Sequence, residues 1–182
     1  MKRTSFITIF LFISNLIFAQ SVNDLDIKNG FRNFKLGSSP SQIKNIVKNK
    51  NQLSANPNIV TYDYVGNDIE YVYHVKVDQV TLRFFKNKLF GIAISFGNVG
   101  KSRDFELYEF NSIRYALEKI YGIDWYYLNN HSGLLLNGAM WEGKNVELQL
   151  SRVDYRKSHG VIIGLINIYD KKLTNECYAN DF

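Results

Sequence analysis

Three groups of residues in this chain carry side chains capable of chemistry, and each sets a different expectation. The first is aromatic: Trp125, Tyr126 and Tyr127 stand together, followed by Asn129, Asn130 and His131, with Trp141 further along. Indole and phenol rings offer stacking surface to a sugar or a peptide, and amides with an imidazole offer hydrogen bonds. Trp125, Tyr127, Asn130, His131 and Trp141 therefore form a candidate ligand platform. Alternate rings entering a core would explain the same residues. The second group is Asp63, Glu70 and His74. Two carboxylates and an imidazole make a possible divalent-ion site if a tight turn at Gly66-Asn67 brings them onto one face of a sheet, but a solvated polar face explains the same residues more simply. The third group, His131-Ser132-Gly133, sets a hydroxyl beside an imidazole without the strand-to-helix context of a nucleophile elbow, and it reads as a turn.

Other chemistries lack their signatures. No G-x-x-x-x-G-K-[ST] phosphate loop occurs, and Gly91 and Gly164 are lone glycines inside apolar runs, where a small residue relieves crowding. His74, His131 and His159 are far apart and form no His-x-x-x-His pair, so no cofactor is implied. The single cysteine, Cys177, has no partner for an internal disulfide and reads as a thiol in a polar tail. The net charge is +5, but Lys2 and Arg3 contribute two of those charges, and the remaining cations are interspersed with Asp and Glu. Without a basic stripe, nucleic acid is not an expected partner.

The amino terminus predicts export. Lys2 and Arg3 precede a short apolar core running from Phe6 to Ile13, and Ile17-Phe18-Ala19 follows, which is the layout of a secretory signal peptide over residues 1–19. The apolar run is too short to span a bilayer. The expected localisation is therefore periplasmic or extracellular, with no transmembrane segment after cleavage. Residues 20–182 are expected to form a single domain, held together by a core rich in its 13 Phe and 12 Tyr.

The platform and the carboxylates must be positioned by strands. Residues 69–96 alternate with a period of two and predict three antiparallel strands, with turns at Asp78-Gln79 and at Lys86-Asn87-Lys88. One face then collects Tyr71, Tyr73, Val75, Val77, Val80, Leu82, Phe84, Phe90, Ile92, Ile94 and Phe96. Gly66-Asn67 as a type II′ turn adds a strand over 59–65, pairing Tyr64 with Ile69 and Tyr62 with Tyr71. Ser39-Pro40-Ser41-Gln42 is a capping-box sequence that predicts a helix over roughly 39–51, and a second helix is predicted over 104–121, closed by Gly122. Four more strands follow at 125–128, 134–141, 146–152 and 160–169, the last apolar at both parities and so expected to be central. The expected fold is α+β: a two-layer, largely antiparallel curved sheet covered on one face by two helices. Residues 34–97 and 104–170 read as two possible helix-plus-four-strand pseudo-repeats.

The segment Phe34-Lys35-Leu36-Gly37-Ser38-Ser39-Pro40-Ser41-Gln42-Ile43, followed by Leu82-Arg83-Phe84-Phe85-Lys86-Asn87-Lys88-Leu89, resembles the small periplasmic SmpA/OmlA-like domain. The layout is also similar to exported proteins of Gram-negative bacteria. The resemblance implies a capped helix ahead of a three-stranded sheet and an accessory, non-enzymatic part in outer-membrane assembly. The family's lipid-bearing cysteine has no counterpart here. The expectation is a non-catalytic exported binding or assembly module that contacts a protein or cell-envelope component. The alternative is a small secreted hydrolase or carbohydrate-binding protein that uses the Trp125–His131 region.

Overall fold

The computed structural model describes residues 21–50, 56–97, 103–129 and 133–179, so the predicted signal peptide, Asn130 and His131 lie outside the described residues. Among the described residues the architecture is α+β. Four helices, α1 (Asn23–Lys28), α2 (Leu107–Tyr121), α3 (Arg156–His159) and α4 (Lys171–Tyr178), accompany one large open antiparallel sheet and a short β1–β2 hairpin (Gly30–Phe31, Phe34–Lys35). None of these helices is long and apolar enough to cross a membrane.

The large sheet contains β3 (Ile46–Lys48), β4 (Ile59–Tyr64), β5 (Tyr71–Val72), β6 (Val75–Phe85), β7 (Lys88–Phe96), β8 (Tyr126–Tyr127), β9 (Leu135–Glu142), β10 (Val146–Asp154) and β11 (Ile162–Asp170). Its order is β3-β4-β6-β7-β11-β10-β9-β8, with β5 paired to β6 alone. Two antiparallel meanders therefore meet along their last strands, where Ile94 faces Ile166 and Ile92 faces Ile168. β11 is central, as its unbroken apolar character requires. The inner face carries the main core, in which Leu82, Ile92, Ile94, Phe96, Trp141 and Leu150 are fully buried. It is covered by α2, whose Phe110, Ile113, Leu117 and Tyr121 recur at helical spacing, and by α1, which inserts Leu25.

The helix expected over 39–51 is not formed. Pro40–Gln42 is a single 3₁₀ turn, closed by the Ser39 N–H donating to Gln42 Oε1 at 2.8 Å, after which the chain becomes edge strand β3. The proline starts a single turn instead of a helix, because Asn45 at φ 58° and the β-branched Ile46 and Val47 favour extended pairing with β4. α1 supplies the second helix of the layer instead. Its Asp26 carboxylate accepts the backbone N–H groups of Lys144, Asn145 and Val146 at 2.7, 2.8 and 2.8 Å, which straps the N-terminal segment to the β9–β10 turn.

The turns of the first meander also differ from expectation. The predicted turn at Asp78-Gln79 lies inside β6, where Asp78 is the extra residue of a bulge between Val77↔Phe96 and Gln79↔Ser95. The reversal falls at Tyr73-His74 instead, both left-handed at φ 47° and 68°, between Val72 and Val75. Gly66 does not take the positive φ that a type II′ turn needs, and β4 pairs with β6, Tyr62 opposite Leu82 and Asp63 opposite Thr81. The β6–β7 turn is two residues rather than three, with Lys86 and Asn87 both left-handed. A bulge at Phe90, between Phe84↔Leu89 and Arg83↔Gly91, then sends that ring to the outer face while Leu89 enters the main core. Tyr71, expected inside, is 48% exposed.

Phe90 does not face water. With Phe85 it meets Leu173 and Cys177 of α4 in a small second core. The carboxyl-terminal segment is therefore an amphipathic helix capped by Asp170, with its thiol buried rather than lying in a polar tail. Gly164 shows how tightly the inner layer is built. Phe105 stacks on Phe96 at 5.4 Å and lies over Gly164, where a Cβ would stand 2.3 Å from the ring. Gly164→Ala is expected to cost about 1–3 kcal/mol by overpacking, read as a lower urea midpoint at unchanged m-value. An unchanged midpoint would show that Phe105 is free to move aside.

Candidate functional site

The residues around Trp125 are positioned by the C-terminal half of α2. That helix begins at a capping box in which the Glu106 N–H donates to Glu109 Oε2 at 2.9 Å, with Arg103 paired to Glu109 at 2.9 Å. It ends at Gly122, whose φ of 86° and ψ of 173° suit glycine alone. Both tryptophans are tied to this end. The Trp141 Nε1–H donates to the Gly122 carbonyl at 2.9 Å, and the Trp125 Nε1–H to Glu118 Oε1 at 2.8 Å. β8 is thereby fixed against β9, Tyr126 opposite Met140 and Tyr127 opposite Ala139.

The candidate platform separates into parts. Trp141 has no exposed surface and belongs to the core; its ring backs Trp125 at 6.2 Å. Trp125 is half-buried and enclosed by Trp141, by Tyr127 edge-on at 4.9 Å, and by the Arg114 guanidinium 5.5 Å from its ring centre. Tyr127 is 82% exposed, so it is the ring that offers open surface. Between this group and α2 lies a cleft of about 530 Å³, walled by Phe110, Asn111 and Arg114 on one side and by Tyr127, Leu136 and Asn137 on the other.

The electrostatics of the cleft are balanced. Arg114 is ion-paired with Glu118 one helical turn on, and its guanidinium also lies 4.3 Å from the Tyr115 ring centre, so its charge is answered within the wall. The remaining lining side chains are aromatic, aliphatic or amide. They can stack and hydrogen-bond, and they favour a neutral ligand over an ionic one. Phe110 and Trp125 are legible in the sequence as apolar-stripe and platform residues. Asn111 and Arg114 are not, because their importance comes from where α2 crosses β8.

Asp63, Glu70 and His74 are not brought together. The hairpin that would have joined them does not exist, and among the described residues no group of three or more His, Cys, Asp and Glu has the spacing of a metal site. The Asp63 carboxylate instead accepts from Asn49 Nδ2 at 3.0 Å, Gln79 Nε2 at 2.9 Å and Thr81 Oγ1 at 3.3 Å on the outer face. Glu70 and His74 are exposed on either side of β5. Compared with protein-family models, with curated proteins and with solved structures, the chain matches none of them.

Proposed function

We propose that this chain is a non-catalytic exported binding module, acting in the periplasm or outside the cell, which contacts a cell-envelope component through the cleft between α2 and β8–β9. The observation that carries this reading is the arrangement at Tyr127: an open ring seated on an immobilised Trp125, beside a cleft of about 530 Å³ whose one guanidinium is already paired. Trp125 is held by Glu118 and packed between Trp141 and Arg114 before the ligand arrives, so little ordering cost falls on that part of the wall. The signal-peptide pattern at the amino terminus supports export, and the resemblance to SmpA/OmlA-like domains supports an accessory part in envelope assembly.

Carbohydrate binding is the form of this reading that the cleft favours, because Asn111 and Asn137 set amides beside the Tyr127 ring. Co-sedimentation of the purified chain with isolated cell envelopes tests the proposal. Tyr127→Ala is expected to weaken retention at least about tenfold, or about 1.4 kcal/mol, while the melting temperature stays within a degree or two. Equal retention of Tyr127→Ala and the parent chain would remove the cleft from the reading.

A further inference from the structure

A second cleft, of about 410 Å³, opens at the opposite edge of the sheet from Trp125, where the β1–β2 turn, the segment ahead of β3 and the loop after β4 meet. Its walls are held by specific bonds. Arg32, left-handed at φ 48°, sends its guanidinium to the carbonyl oxygens of Asp68 and Tyr71, the latter at 2.7 Å, and so ties the β1–β2 turn to the loop after β4. The Tyr64 hydroxyl donates to Asp68 Oδ1, and the Asn45 amide bonds the same hydroxyl. The Phe34 ring meets Tyr64 edge-on at 5.0 Å and fixes its plane.

The side chains that face the cleft select among ligand classes. Asp68 is an acceptor that calls for hydroxyl or ammonium donors, and the exposed Asn33 and Asn67 amides both donate and accept. The Arg32 guanidinium is held by the Asp68 and Tyr71 carbonyls, which leaves the Lys44 ammonium and the Asp68 carboxylate as one charge of each sign facing a ligand. A neutral molecule carrying adjacent hydroxyls satisfies all of these groups. One hydroxyl donates to Asp68, its neighbour accepts from an asparagine amide, and the C–H face of the ring lies toward Tyr64 and Ile43. We propose that this cleft is a saccharide-binding site for a neutral sugar, recognised through a vicinal hydroxyl pair. It shares no lining residue with the cleft at Tyr127 and stands without it.

The test is a titration of the isotopically labelled chain with cellotriose and with maltotriose, followed through the side-chain amide resonances of Asn45 and Asn67, alongside retention on cellulose beads. Saturable shifts at these amides with at least one trisaccharide are expected. Asp68→Ala should weaken binding tenfold or more, and Tyr127→Ala should leave it unchanged. Asn67→Ala, at an exposed position that leaves the Tyr64–Asp68 bond intact, gives a second reading if Asp68→Ala loosens the loop, and a several-fold loss is expected there too. Bead retention together with trisaccharide binding assigns a polymeric glycan, and trisaccharide binding alone assigns a free sugar. Amides in this cleft that stay fixed at millimolar concentrations of both sugars, or wild-type affinity in folded Asp68→Ala and Asn67→Ala, would overturn the proposal. Loss of binding in Tyr127→Ala alone would transfer it to the other cleft.

Discussion

Trp141→Ala is expected to lower stability by about 3–5 kcal/mol, a large share of the 5–15 kcal/mol that holds a domain of this size. The indole is fully buried among the residues of the main core, and its N–H satisfies the carbonyl that ends α2, so the truncation leaves a cavity and an orphaned helix terminus together. Urea unfolding of the two chains measures the difference. Tyr127→Ala, at 82% exposure, should shift the same midpoint by less than about 0.5 kcal/mol. The contrast matters because both residues belong to one aromatic group in the sequence. If Trp141→Ala were as mild as Tyr127→Ala, Trp141 would belong to the binding surface and the division of roles would be wrong.

Raising the pH above 10 should destabilise this protein through its buried tyrosines. Burial pushes the Tyr121 hydroxyl up to about 12, with Tyr73 and Asp24 adding to the effect. An unfolded tyrosine titrates near 10. Between these values the unfolded chain has released a proton that the folded chain still holds, so stability is intact below pH 10 and is lost as pH rises through 12. At about 1.4 kcal/mol per pH unit, Tyr121 alone removes about 3 kcal/mol across that window. Burial also raises Tyr73 and Tyr169, and the hydrogen bond to Asp68 raises Tyr64, so all four act in the same direction. Equilibrium unfolding at pH 8, 10 and 11.5, with phenolate absorbance as a second probe, should show the fall, and Tyr121→Phe should make it shallower. A midpoint constant from pH 8 to 11.5 would mean that Tyr121 is solvated.

Strand character was legible where burial is one-sided and local. Val146, Leu148 and Leu150 alternate cleanly and form β10 with those residues inside, and α2 ends one residue before the predicted Gly122. Gly91 and Gly164 are small because the Tyr169 and Phe105 rings lie over them. Other features depend on partners that no local window contains. The Ser39 capping box is satisfied by a single turn, and β4 then provides better pairing for Ile46 than a helix would. Asp78-Gln79 has turn chemistry, yet pairing with β7 carries β6 through it and the surplus residue becomes a bulge. The reversal falls at Tyr73-His74, a pair no turn preference selects, because Arg32 and the Glu70 carbonyl hold the loop on one side of it. The α4 signal, Leu173 and Cys177 four residues apart, was present but short, and without Phe90 on the outer face it had nothing to cover.

The candidate site was legible as composition and not as geometry. Trp125, Tyr127 and Trp141 stand out by type, yet nothing in the sequence tells which ring is core, which is wall and which is open. Those roles follow from two N–H bonds to the end of α2 and from the two-residue length of β8. The amides of Asn111 and Asn137 and the paired Arg114 enter only once α2 is laid across the sheet.

The most direct measurement uses the indole that the cleft is built around. In a Trp141→Phe chain, which keeps an aromatic ring in the core, Trp125 is the remaining tryptophan, and its emission can be followed while solubilised cell-envelope components are titrated in. Saturable change in Trp125 emission, abolished by Tyr127→Ala in the same background, is the predicted result. Binding that saturates while Trp125 emission stays constant would place the ligand elsewhere on the molecule and contradict the assignment of the cleft.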